Sequence, residues 1–159
     1  MRIFVVRHAH AGSRSEWDEA DHHRPLSPQG LERSARIGEQ LANQGISRLV
    51  SSPYVRCIQT LEPLATRSGL TVETSDTLAE GASPVSTVAL VEDLIAEGVT
   101  AALCSHGDVI PELLAALARR GADLDPEGRC QKGSIWILTV ADGVVTSGIY
   151  AGKGDLLMR

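Results

Sequence analysis

The sequence predicts an α/β fold, a three-layer α/β/α sandwich around a mostly parallel central sheet. Short apolar, β-branched runs alternate with segments whose apolar residues recur every three or four positions, the pattern of strands interleaved with helices. The first of these runs shows no polar alternation, so it reads as a strand covered on both faces. Aromatic residues make up 3% of the chain against 43% hydrophobic residues overall, so the core must be aliphatic, which suits helices layered on a sheet.

The alternation opens with RIFVV at residues 2 to 6, a buried strand. The polar stretch HAHAGSRSEWDEADHHRP follows as a long loop, and loops of this length in compact domains are often functional. Ser27 before Pro28 is an N-cap and first-turn pair, and the spacing of Leu31, Ala35, Ile37, Gly38 and Leu41 predicts a helix over 29–44 that Gly45 ends. ISRLVSS is a second strand. Pro53 opens another helix with Val55, Ile58, Leu61, Leu64 and Ala65 on one face, which Pro63 is expected to kink or shorten. LTVETS reads as a third strand, Pro84 to Glu97 as a third helix, TAALCS as a fourth strand and Ile110 to Arg120 as a last helix. SIWILTV and VVTSGIY close the chain as a hairpin around Asp142-Gly143.

At 159 residues the chain is expected to form a single domain over 1–159. Its 20 acidic and 15 basic residues give a formal charge of -5, which disfavours nucleic acid and anionic membranes as partners, so an anionic ligand must be captured locally. Cys57, Cys104 and Cys130 are widely spaced and form no CxxC pair, which argues against a disulfide framework or zinc site and fits a reducing cytoplasm. The N-terminal apolar run is too short for a signal peptide, and nowhere do about eighteen apolar residues run together to span a bilayer. A soluble, unexported protein is expected.

In a sheet of this kind ligands gather at the carboxyl ends of the parallel strands. Arg7 and His8 follow the first strand, Ser51, Ser52 and Arg56 the second, and His106 the fourth, while Glu80 lies on the loop after the third. Brought together, these residues suit phosphoryl transfer without a metal or cofactor. A neutral imidazole attacks phosphorus and splits one difficult displacement into two easier ones, the role expected of His8. The guanidinium forks of Arg7 and Arg56 match phosphoryl oxygens and keep their charge. His106 donates to the same oxygens in the transition state. A carboxyl at Glu80 can protonate the leaving oxygen and then deprotonate water.

Three segments resemble the motifs of the histidine phosphatase superfamily: VVRHAHAG with Arg7, His8 and Ala9; SSPYVRCIQT, similar to a Ser-Pro-x-x-Arg-x-x-Gln-Thr pattern, with Arg56; and SHGDVI with His106 and Gly107. The resemblance implies a phosphoglycerate mutase-like fold, a phosphohistidine intermediate at His8, and a phosphate site formed by Arg7, His8, Arg56, His106 and Gly107. The short chain looks most like the SixA-type phosphohistidine phosphatases, which implies a phosphorylated protein as substrate. It is also similar to the phosphatase-like domain of actinobacterial MutT-type Nudix proteins, which leaves a nucleotide or other small phosphoester as the other substrate class. Glu80 departs from the SixA-type pattern, where such an acid is often missing, and leans toward an oxygen ester.

Other polar residues have plainer readings. His10, His22 and His23 match no zinc spacing, so no metal site is expected. Cys104, inside an apolar strand, reads as a buried inert thiol. Ser13, Arg14 and Arg24 are candidates to line the entrance, and the 10–24 loop is a candidate to close over the site. The rival to hydrolysis is a non-catalytic module that reads phospho-ligands with the same pocket; a mutase needs more lid than the chain offers.

Overall fold

The computed structural model describes residues 1–155 of the chain. In chain order the elements are β1 (Arg2–Arg7), α1 (Pro28–Leu41), β2 (Arg48–Ser51), α2 (Val55–Ser68), β3 (Val72–Thr74), α3 (Pro84–Glu97), β4 (Ala101–Ser105), α4 (Val109–Arg119), β5 (Ile135–Ala141) and β6 (Val144–Ala151). One six-stranded sheet has the order β3-β2-β4-β1-β5-β6. The pairs β2–β3, β2–β4 and β1–β4 are parallel, whereas β5 pairs antiparallel with both β1 and β6. The predicted layers are present, because side chains alternate across the sheet. Phe4 and Val6 join Ile37, Leu41, Leu61 and Leu64 of α1 and α2 on one face. Ile3 and Val5 join Val88, Val91, Leu113 and Leu117 of α3 and α4 on the other.

The starts of α1 and α3 follow the sequence signals, whereas α2 begins at Val55 with Tyr54 at its N-cap and leaves Pro53 outside the helix. Ser27 Oγ accepts from Gly30 N–H at the head of α1, and Ser83 Oγ from Ser86 N–H at the head of α3, each followed by proline. Asp142 and Gly143 both have positive φ, 52° and 78°, as the tight β5–β6 hairpin requires.

Two expectations need correction. Leu31 is 50% exposed, because α1 buries Gly30, Arg33, Ser34, Ile37, Gly38 and Leu41 instead. The helix buries glycines because its neighbours come so close: a Cβ on Gly30 would lie 2.0 Å from His10 O, and one on Gly38 3.0 Å from Leu64 N. Pro63 does not end α2, which runs to Ser68 with Pro63 inside it, packed where Gly38 of α1 leaves room. No helix among the described residues is long and apolar enough to cross a membrane.

Candidate active site

The carboxyl ends of β1, β2 and β4 and the start of antiparallel β5 share one sheet edge. His8 N–H donates to Ser105 O at 3.1 Å, Ser52 N–H to Cys104 O at 2.9 Å, and Arg7 N–H to Ser134 O at 3.1 Å, so the site residues extend the ladders of the sheet. The Gln-Thr pair of the second motif holds the His8 loop onto α2. Thr60 Oγ1 donates to Arg56 O at 2.7 Å and accepts from Ala9 N–H at 3.1 Å, and Gln59 Oε1 accepts from Leu26 N–H at 2.8 Å.

His8 is 5% exposed. Its Nδ1 lies 2.8 Å from Ala9 O, an acceptor, so the ring proton is assigned to Nδ1 and the lone pair to Nε2. Burial lowers its pKa to about 3, aided by repulsion from His106, Arg56 and Arg7 and opposed by the hydrogen bond to Ala9. The imidazole is therefore neutral across the physiological range, as a nucleophile must be.

His106 stands 5.4 Å from His8, ring centre to ring centre. Ser52 Oγ lies 2.8 Å from its Nε2 and accepts from Tyr54 N–H at 3.3 Å, an arrangement that lets the hydroxyl donate to Nε2 and leaves the ring proton on Nδ1. Tyr54 packs its ring between His106, at 4.7 Å, and the Arg56 guanidinium, at 4.8 Å. Arg7 Nη1 donates to Cys130 O, and the guanidinium crosses Gly107, where a Cβ would lie 2.6 Å from Arg7 Cζ. Gly107 is thus the surface on which Arg7 rests.

Arg7 Nε, Arg56 Nε and His106 Nδ1 are buried without a hydrogen-bond partner among the described residues. Leaving such a group unpaired costs about 1–3 kcal/mol, which a compact oxyanion reaching these donors would offset. The adjoining pocket, about 290 Å³, is lined by Arg7, His8, Arg14, Arg24, Arg56 and Lys132 together with Glu80, His106, Gly107 and Asp108. Cations outnumber carboxylates there, and Lys132 registers the field: burial first, then repulsion from Arg7, Arg24, Arg56 and Arg14, holds its pKa below the usual lysine value.

All six residues expected at the site line this pocket, and so do Arg14 and Arg24; Ser13 does not, and bonds Ser15 instead. Glu80 is ion-paired, accepting from Arg14 Nη2 at 2.8 Å and lying 3.6 Å from Arg56 Nη2, while Asp108 Oδ2 fixes its loop by accepting from Gly81 N–H. Sequence reasoning missed three residues. Asp21 pairs with Arg14, Arg24 and Arg56. Lys132 precedes the one strand that runs opposite to its neighbours, a signal visible only once the final hairpin is laid antiparallel beside the first strand. Tyr54 lay inside the quoted second motif without a role. His10 anchors the head of α1 through Ser27 Oγ at 2.7 Å, and Cys104 is fully buried, with its thiol pKa pushed up by desolvation. Among the described residues no group of three or more His, Cys, Asp or Glu is disposed to hold a metal ion.

A family model described as histidine phosphatase superfamily (branch 1) matches residues 3–83. An 8-oxo-(d)GTP phosphatase of Mycolicibacterium smegmatis is 32% identical over 157 residues, covering 96% of this chain and 48% of that protein, so the chain spans about half the length of this relative. The solved structure of the protein histidine phosphatase SixA with tungstate aligns with a TM-score of 0.77 at 24% identity over 96% of this chain and 95% of that one. A SixA phosphohistidine phosphatase structure from Nakamurella multipartitia aligns at 0.65 with 27% identity, covering 86% of this chain and 83% of that one. A mycobacterial glucosyl-3-phosphoglycerate phosphatase with VO3 aligns at 0.75 with 18% identity, covering 94% of this chain and 96% of that one.

Proposed function

Since the chain belongs to the histidine phosphatase superfamily, we propose that it removes phosphate from a phosphorylated substrate through a covalent phosphohistidine at His8. The observation that carries this reading is the Nδ1 contact of His8 with Ala9 O, which directs the lone pair to Nε2 while burial keeps the ring neutral.

The Nε2 lone pair forms a bond to phosphorus as the bond from phosphorus to the leaving atom breaks. Arg7 and Arg56 neutralise the phosphoryl oxygens, and His106 donates from Nδ1 as charge develops on them. Water then attacks the phosphohistidine, the P–N bond breaks, and its electron pair returns to Nε2, so substrate and water yield alcohol or free histidine and phosphate. This reading assigns each role to a side chain, so turnover is expected to survive a chelator.

Both phosphohistidine protein and small phosphoester can deliver a phosphoryl group to this pocket. The presence of Glu80 on its wall favours the ester, whose alkoxide leaving group needs a proton more than imidazole does. For Glu80 to serve as acid and then base, substrate must replace its contact with Arg14. A cytoplasmic setting is the one that suits three free thiols.

The test is hydrolysis of p-nitrophenyl phosphate in EDTA by wild type and His8→Ala, with acid-labile, base-stable phosphate on the protein assayed in parallel. Turnover that disappears with His8 and leaves trapped phosphohistidine is the expected result. Phosphate or vanadate binding without turnover would instead favour a phospho-ligand reader or a very selective enzyme.

A further inference from the structure

Beside the phosphoryl pocket lies a larger cavity of about 580 Å³, within the range of about 300–1,000 Å³ typical of small-molecule sites. Lys132 lines both spaces. Arg33, Arg36 and Lys153 supply three further cations, against Glu32 as the single carboxylate among the described residues of the lining.

Arg33 is the unusual member. It is 7% exposed, yet its one hydrogen bond among the described residues runs from Nε to Gly133 O at 2.8 Å. None of the ion pairs among the described residues involves Arg33, Arg36, Lys132 or Lys153. Buried cations are ordinarily paired, so a guanidinium on a cavity wall whose Nη groups meet no partner among the described residues is a place suited to an anion. Burial and the nearby Arg36 both lower its pKa, the sign of an uncompensated positive field.

The cavity is tied to the chemistry through Gly133. Its N–H donates to both Arg7 O and His8 O at 3.1 Å, its carbonyl holds Arg33, and a Cβ there would lie 2.7 Å from Arg33 Cγ. The lining also says what kind of molecule fits. It contains no Phe, Tyr or Trp on which a nucleobase could stack, but Gln29, Gln131 and His10 offer hydrogen bonds to hydroxyl groups.

We propose that this cavity is a second anion subsite of the same active site, and that the substrate is a sugar-type phosphoester carrying a second anionic group that binds Arg33, Arg36 and Lys153. The proposal rests on the phosphatase reading, and deepens it by naming the substrate class.

Arg36 and Lys153 are exposed, so Arg36→Ala/Lys153→Ala should fold, and neither residue belongs to the phosphoryl site. Wild type should use fructose bisphosphate over fructose monophosphate by about tenfold or more in kcat/KM, a ratio typical of one charged contact. In the double variant that preference should collapse while p-nitrophenyl phosphate turnover is unchanged. Titration with inorganic phosphate should give two bound ions per wild-type chain and one in the variant. A single phosphate in both proteins, or a sugar preference that the variant retains, overturns the subsite; a preference for adenosine bisphosphate over fructose bisphosphate overturns the sugar assignment. If wild type hydrolyses none of these esters, the ester reading fails, and phosphate stoichiometry alone decides the subsite.

Discussion

Asp21 grips Arg56 twice, its backbone carbonyl accepting from Nη1 at 2.9 Å and its carboxylate Oδ2 from Nη2 at 3.0 Å. The same carboxylate meets Arg24 at 3.1 Å and Arg14 at 3.3 Å. Burial alone would raise its pKa, but the bonds from Arg24 and Arg56 outweigh that and hold it below the usual carboxylate value. The long loop after β1 thus carries a counter-ion to Arg56, and on the proposed function an arriving phosphate must share Arg56 with it. Asp21→Asn keeps the shape and removes the repulsion. Calorimetric titration should show inorganic phosphate binding about three- to tenfold tighter in this variant. Weaker binding would mean that the carboxylate matters for aiming Arg56, with no competition to relieve.

Gly107→Ala tests the seat of Arg7. The added methyl would meet the guanidinium at 2.6 Å, and Arg7 must move because the other side of the contact is backbone at the head of α4. The expected effect is a fall in kcat/KM of about tenfold to a hundredfold, in keeping with the loss of one preorganised donor. Urea unfolding should change little. A fully active variant would show that Arg7 need not lie across Gly107 for catalysis.

The strands, the helices and the convergence of six expected residues on one pocket were legible in sequence because they obey local rules. An apolar run followed by Arg7-His8, a helix after the second strand with Arg56 in its first turn, and His106 ahead of α4 reach one edge of the sheet because they follow the carboxyl ends of parallel strands. Asp21, Tyr54 and Lys132 were not legible as site residues. Asp21 is one acid among several in a polar loop, and only the folded path of that loop puts it against Arg56. Lys132 reaches the site because β5 runs backwards beside β1. Leu31 misled for the opposite reason: its hydrophobicity suggested burial, whereas α1 packs through Gly30 and Gly38, whose value lies in the missing side chain.

Thr60 is expected to matter more than a buried hydroxyl usually does. It joins Ala9 N–H, next to the proposed nucleophile His8, to the backbone carbonyl of Arg56, the proposed phosphate ligand. Thr60→Val preserves shape and leaves the Ala9 N–H unpaired, which should cost about 1–3 kcal/mol in urea unfolding. Turnover should fall as well, because His8 and Arg56 lose their shared strut. Unchanged stability would mean that another acceptor reaches Ala9.

The neutral, buried His8 makes stability depend on pH in a definite sense. In the unfolded chain its imidazole takes up a proton near pH 6.5, whereas in the folded protein it does so only near 3. Between those values the unfolded state holds more protons, so acid pulls the equilibrium toward unfolding as pH falls below about 6.5, and the effect levels off near 3. His8→Gln removes the titrating group and keeps a polar side chain of similar length. On going from about pH 7 to about pH 4.5, wild type should lose roughly 2–3 kcal/mol more than His8→Gln, measured by urea unfolding of both proteins in the same buffers. All other titrating groups are common to the pair and largely cancel in the difference. Equal losses in the two proteins would mean that His8 is readily protonated in the folded state. The Nε2 lone pair would then be filled at mildly acid pH, and phosphatase activity would have to fall with a midpoint near 6.5.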